Sequence, residues 1–135
     1  MKVLAGGTFN ILHPGHIYFL RKAKELGDEL VVVVSTDKRV KKEKGRLILP
    51  SSERKKIIES LRFVDRVIIG SNSDFFNVVE KERPDIIVLG YDQEIDRKEL
   101  SKRLKKIGHK CSIIRIEEKH RGYSTRKILE RIGIS

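Results

Sequence analysis

The segment Gly6-Gly7-Thr8-Phe9-Asn10-Ile11-Leu12-His13-Pro14-Gly15-His16 concentrates groups that can do chemistry. Two glycines let the backbone approach a ligand closely and present amide donors. Thr8 adds a hydroxyl. Pro14 suits the first turn of a helix, so His13 and His16, three residues apart, sit at a helix N-terminus and can face the same way. That end of a helix attracts anions. Glycine-rich turn, hydroxyl and imidazoles together make a phosphate cradle, in which each histidine can donate to non-bridging oxygens as charge builds in a transition state. Each part alone has a plainer reading. Gly-Gly is a turn, and two histidines three apart are surface residues or the start of a zinc site. His109 and His120 are remote and lack metal-site spacing, so no metal ligand is assigned.

Three other stretches carry polar groups of interest. Leu89-Gly90-Tyr91-Asp92-Gln93 turns from apolar to polar where a strand would end, although an ordinary Gly-Tyr-Asp turn reads the same way. In Arg121-Gly122-Tyr123-Ser124-Thr125-Arg126-Lys127, Ser124 can cap a final helix whose first turn contains Arg126. A cation there opposes the helix dipole, and an anionic ligand would offset that penalty. The run Lys38 to Arg46 is basic, and a solvated surface is the alternative to a binding role.

The elements that must position these groups follow from the apolar pattern. Val3 to Ala5, Leu30 to Val34, Val67 to Ile69, Ile86 to Leu89 and Ser112 to Ile116 are short and rich in β-branched residues. The continuous runs among them read as strands buried on both faces. Helical patterns lie between, over 16–26, 51–61, 74–83 and 95–107, with a last helix from about Ser124. The third strand is preceded by a helix opening on Pro50 with Ser51 as its cap, and Ile57, Ile58 and Leu61 form that helix's apolar stripe. Such β–α alternation predicts a single α/β domain over 1–135, a Rossmann-like three-layer fold with a five-stranded parallel sheet and helices on both faces. In such sheets ligands bind beyond the carboxyl ends of the strands, where the strand order reverses. Ser35 to Pro50 is expected to be one long connection, of the kind that is functional or mobile.

Composition narrows the class. The chain has 135 residues, enough for one buried core, and a single cysteine, Cys111, which excludes an internal disulfide. The N-terminal apolar stretch is too short for a signal peptide's core, and Leu30 to Val34 is far too short to span a bilayer. The expectation is a soluble cytoplasmic protein. Thirty basic against nineteen acidic residues leave a net charge of +11, which draws polyanions. The basic residues are spread over several helices and mixed with Glu, without tryptophan or an RNA-binding signature, so nucleotide and phosphate ligands are favoured over nucleic acid. Charged residues at 36%, with one Gln and three Asn, follow the thermophile trend.

The Gly-Thr-Phe-Asn run followed by His13-Pro14-Gly15-His16 resembles the signature of the nucleotidylyltransferase superfamily, Gly-Thr-Phe-Asp with His-x-Gly-His. The resemblance covers nearly the whole chain. It is nearest to the archaeal FAD synthase type, through His-Pro-Gly-His, Lys44-Gly45-Arg46, residues 64–70 and residues 84–93. Glycerol-3-phosphate cytidylyltransferases are next, but their Arg-Thr-x-Gly-Ile-Ser-Thr-Thr run meets Lys119, Tyr123 and Arg126 here in place of Arg, Ile and the last Thr. The resemblance implies transfer of a nucleotidyl group from ATP (CTP second) to a phosphorylated acceptor, FMN above others, with release of pyrophosphate. It implies a nucleotide site of Gly7, Thr8, Phe9, His13, Pro14, Gly15, His16, Asp92, Tyr123, Ser124, Thr125 and Arg126. His13, His16 and Lys44 would serve catalysis, with Lys44 and Asn10 at the acceptor, Mg²⁺ on the triphosphate, and a homodimer as the assembly. One position departs: Asn10 stands where the family carries Asp, which removes a carboxylate but keeps size and hydrogen bonding. A nucleotide-binding regulator without catalysis and a nucleic-acid-binding module are the readings from other classes.

Overall fold

The computed structural model describes residues 1–71, 75–90, 95–116 and 125–133. Five strands, β1 (Lys2–Gly7), β2 (Glu29–Val34), β3 (Arg66–Ile69), β4 (Ile86–Gly90) and β5 (Ser112–Ile116), form one parallel sheet in the order β3-β2-β1-β4-β5. Among the described residues six helices connect or flank them: α1 (Pro14–Glu25), α2 (Asp37–Lys44), α3 (Ser51–Glu59), α4 (Phe75–Glu82), α5 (Arg97–Lys106) and α6 (Thr125–Arg131).

Alternation along buried strands builds two cores. Val3 and Ala5 of β1, with Val32 and Val34 of β2, face Leu20 and Ala23 of α1 and Ile58 of α3. Leu4, Val31 and Val33 turn to the other face and meet Val79 of α4 and Leu100 and Leu104 of α5. Strand positions covered on both sides are apolar, as the runs Val3 to Ala5, Leu30 to Val34 and Ile86 to Leu89 show. The pairings Gly7 with Val34, Val34 with Ile69 and Gly90 with Ile116 align the carboxyl ends of the five strands along one edge. From β1 the chain winds outward to β2 and β3, then returns to place β4 and β5 on the other side. The order therefore reverses between β1 and β4, and the crevice beyond Gly7 and Gly90 is the ligand edge.

Two local expectations are corrected. The segment 35–50 is not one long connection, because it contains α2. Thr36 caps that helix by accepting from the Arg39 amide, Asp37 lies in its first turn, and Gly45 ends it at φ 75°. Val40 is its single buried apolar residue, so the strongly basic sequence hides the helix from a reading based on apolar period. Ser51 does not cap α3. The N-cap position is Pro50, without a side-chain cap bond, and the Asp37 carboxylate accepts the Ser51 amide at 2.7 Å. A residue fourteen positions upstream does the capping, which local spacing does not reveal.

Candidate active site at the switch between β1 and β4

The histidine pair is built into the start of α1. His13 is its N-cap in extended conformation, Pro14 is the first helical residue and His16 the third after the cap. His13 Nδ1 accepts the Gly15 amide at 3.0 Å, and His16 Nδ1 accepts the His13 amide at 3.2 Å. This is the reciprocal bonding of a capping box, with imidazoles in the places usual for Ser or Thr and for Glu or Gln. The three-residue spacing is thus a requirement of helix geometry. Since each Nδ1 accepts, each neutral ring carries its proton on Nε2. The rings stack with centroids 3.7 Å apart and 28° between their planes.

His16 is held neutral. Burial pushes its pKa down to about 3, and the neighbouring His13 adds to the shift; a contact with the Ile11 carbonyl acts in the opposite sense but is outweighed. A neutral imidazole with a fixed tautomer is a hydrogen-bond donor rather than a proton reservoir. That suits stabilising phosphate oxygens in a pre-set geometry.

Phe9 explains why the preceding residues are what they are. It occupies the left-handed region at φ 52°, rare for an aromatic residue. Its ring is 4% exposed, lies in the core beside β1 and meets His16 edge-on at 5.1 Å. A Cβ on Gly7 would come within 2.8 Å of that ring. Gly7 therefore makes room for Phe9, and Phe9 braces His16.

Two residues that sequence reasoning did not single out organise the same edge. Arg54 of α3 is fully buried. Its guanidinium donates to the carbonyls of Thr8 at 2.8 Å, Ser35 at 2.7 Å and Leu49 at 2.8 Å, and to Asp37 Oδ1 at 2.7 Å. It ties the ends of β1 and β2 to α2 and to the segment before α3. The available signal was a cation four residues before the buried Ile58, on the inward stripe of α3. Arg115 of β5 donates to the Gly90 carbonyl at 2.8 Å and the Ile95 carbonyl at 3.0 Å, holding both flanks of residues 91–94.

The remaining expected residues fall as follows. Thr8 lies directly beyond β1, partly exposed, with its carbonyl on Arg54. Asn10 is 5% exposed and bonds across to residues 46 and 48. Lys44 is the exposed last residue of α2. Arg126 is exposed on α6, with an ion pair to Glu130 at 3.7 Å. Thr125 begins α6. Asp92, Tyr123 and Ser124 lie outside the described residues. His109 is not near this edge. Its Nε2 bonds the Pro84 carbonyl at 2.6 Å, just before the opposite, amino end of β4. Among the described residues no three His, Cys, Asp or Glu side chains cluster to hold a metal ion. Nor is any helix of the described residues long and apolar enough to cross a membrane.

The sheet is doubly wound and parallel, with its switch point between β1 and β4, and the imidazole pair stands at the carboxyl end of β1, where such folds bind ligands. The sequence matches the model of the Cytidylyltransferase-like family over residues 4–131, and this chain belongs to that family. It is 47% identical over 133 residues to an FAD synthase from Ferroglobus placidus, covering 97% of this chain and 87% of that protein. It is 43% identical over 131 residues to an FAD synthase from Archaeoglobus fulgidus, covering 96% and 95%. A crystal structure described as the lipopolysaccharide core biosynthesis protein from Thermoplasma volcanium superposes with a TM-score of 0.82 at 43% identity, covering 89% of this chain and 98% of that one.

Proposed function

We propose that this protein is an FMN adenylyltransferase, which makes FAD and pyrophosphate from ATP and FMN. The observation that carries the proposal is the capped imidazole pair at the ligand edge, in a chain whose relatives named FAD synthase match it over nearly its whole length. In the reaction an oxygen of the FMN phosphate attacks the α-phosphorus of ATP in line. The bond from that phosphorus to the oxygen bridging to the β-phosphate breaks, and pyrophosphate leaves. The nucleophile is already anionic at neutral pH, so no strong base is needed. Positioning and charge stabilisation supply the rate.

The Nε2 donor of His13 stabilises the five-coordinate α-phosphate, joined by that of His16 when the nucleotide displaces its contact with the Ile11 carbonyl. The Gly6-Gly7 turn, the start of α1 at Pro14 and Gly15, and the Thr8 hydroxyl line the phosphate path. Lys44 serves the acceptor phosphate. By resemblance, Asp92 serves the nucleoside, and Tyr123, Ser124, Thr125 and Arg126 serve the β- and γ-phosphates. Mg²⁺ arrives as part of the nucleotide substrate, since such ions are held largely by phosphate oxygens and water, and it screens the triphosphate charge. An open hollow of about 510 Å³ borders His13, lined by Leu12, Pro14, Ile17, Tyr18 and Arg21. Its mostly apolar lining, next to His13, suits the flat ring system of FMN. A cytoplasmic homodimer from a heat-adapted source completes the reading, on the resemblance and the charge-rich composition.

A matrix of ATP and CTP against FMN and glycerol 3-phosphate, scored by pyrophosphate release, tests the proposal. Release with ATP and FMN, coupled to FAD, is expected. Turnover with CTP and the polyol phosphate alone would overturn the substrate assignment. No release with any pair would favour a non-catalytic nucleotide-binding protein.

A further inference from the structure

Asn10 stands where the family carries a carboxylate, and its surroundings show what the amide does. The side chain is almost fully buried. Its Nδ2 donates to the Arg46 carbonyl at 2.7 Å, and its Oδ1 accepts the Ile48 amide at 2.9 Å. The carboxamide therefore pairs with the backbone as a second peptide group would, and only one orientation of the amide satisfies both bonds. Its partners lie 36 and 38 residues along the chain. They belong to the segment between Gly45, which ends α2 in the left-handed region, and Leu49, whose carbonyl Arg54 holds from within. The segment is thus fastened twice, by Arg54 below and by Asn10 from the side of the histidine-bearing loop.

A carboxylate at position 10 has no hydrogen to give. It would set an anionic oxygen against the Arg46 carbonyl at the same 2.7 Å. Water cannot easily intervene at a side chain only 5% exposed. The Arg46 carbonyl therefore demands a donor, and Asn supplies one at the size of Asp.

We propose that Asn10 is a positioning residue. It fixes residues 44–48, with the cations Lys44 and Arg46, relative to His13 and His16, and so sets the subsite for the acceptor's phosphate. The inference rests on the adenylyltransferase reading for its kinetic consequence, but the clamp itself does not.

The test compares the wild-type protein with Asn10→Asp and Asn10→Ala, reading steady-state kinetics with FMN and ATP together with amide hydrogen exchange. In Asn10→Asp the KM for FMN rises roughly tenfold to a hundredfold, as expected for a buried carbonyl losing its donor and facing a charge. The KM for ATP and kcat move much less. Exchange at Ile48 quickens at least about tenfold in Asn10→Ala, which has no side-chain acceptor, while Val31 to Val33 in β2 stay protected. These β2 amides also report that the fold is intact. Wild-type KM in Asn10→Asp, or unchanged exchange at Ile48 in Asn10→Ala, would overturn the proposal. Faster exchange with unaltered KM would overturn its functional half. Absence of FAD formation by the wild-type protein would contradict the substrate reading, whereas Ile48 exchange would still decide the clamp.

Discussion

Replacing Arg54 by Met keeps the buried stem and removes the charge with its four donated bonds. Three backbone carbonyls lose a donor, and Asp37 loses its cation while keeping the Ser51 amide. Breaking a buried ion pair from one side costs about 3–5 kcal/mol. Asp37 is 39% exposed and recovers water, which points to the lower end, about 3 kcal/mol. A domain of this size has a total stability of roughly 5–15 kcal/mol, so Arg54→Met still folds. The melting temperature should fall by roughly 10 °C, at about 3–4 °C per kcal/mol for such a chain. Thermal and urea unfolding followed by far-ultraviolet circular dichroism measure this. A double-mutant cycle with Asp37→Asn separates the ion pair from the three carbonyl bonds, with a coupling of about 0.5–3 kcal/mol expected. A shift below about 2 °C in Arg54→Met would refute the reasoning, because it would mean the four acceptors are satisfied without the guanidinium.

Gly7→Ala places a methyl group 2.8 Å from the Phe9 ring, so Phe9 must shift and His16 loses its brace. Adenylyl transfer should drop at least about tenfold while melting falls by only a few degrees, as for a modest overpacking; wild-type activity would contradict the bracing role. Acid should destabilise the fold from the histidine range downward. The folded pKa of His16 is about 3 against an ordinary 6.5, so between those values the unfolded chain binds the proton and stability falls as pH falls. The slope is at most about 1.4 kcal/mol per pH unit from this residue. Asp65, lowered by Lys24 and the Leu30 amide, and Glu82, lowered by Arg66 and Lys2, add to the loss once the carboxylate range is reached. Urea midpoints at pH 7.5, 6 and 4.5 test this, and a flat profile would contradict the neutral, half-buried His16. Tyr18→Ala in the hollow beside His13 should raise the KM for FMN severalfold and leave that for ATP near its starting value; equal effects on both would move the flavin ring elsewhere.

Much of this architecture is legible in the linear pattern, and most of the exceptions share a cause. Strands buried on both faces announce themselves as runs such as Leu30 to Val34, and the His-Pro-Gly-His spacing marks the start of α1 because a helix N-terminus needs partners at the cap and three residues on. Most of what stays hidden depends on contacts between distant residues, and α2 is the local exception. α2 shows a single buried apolar residue, Val40, and its markers, Thr36 and Gly45, are capping signals rather than periodic ones. The cap of α3 comes from Asp37, and a reading of neighbours selects Ser51 instead. Arg54 looks like one more surface cation until its stripe is traced to Ile58. Asn10 reads from sequence as a lost charge, and its gain, a donor to the Arg46 carbonyl, is visible only once residues 46–48 are beside it.

The most direct test of the central claim compares FAD formation from ATP and FMN by the wild-type protein and by His16→Ala, with circular dichroism confirming the fold of both. The wild-type protein is expected to form FAD and pyrophosphate in equal amounts. His16→Ala is expected to be slower by at least about a hundredfold, the scale of losing a pre-set donor to the transition state. Near-normal turnover in a correctly folded His16→Ala would contradict the role assigned to the imidazole pair.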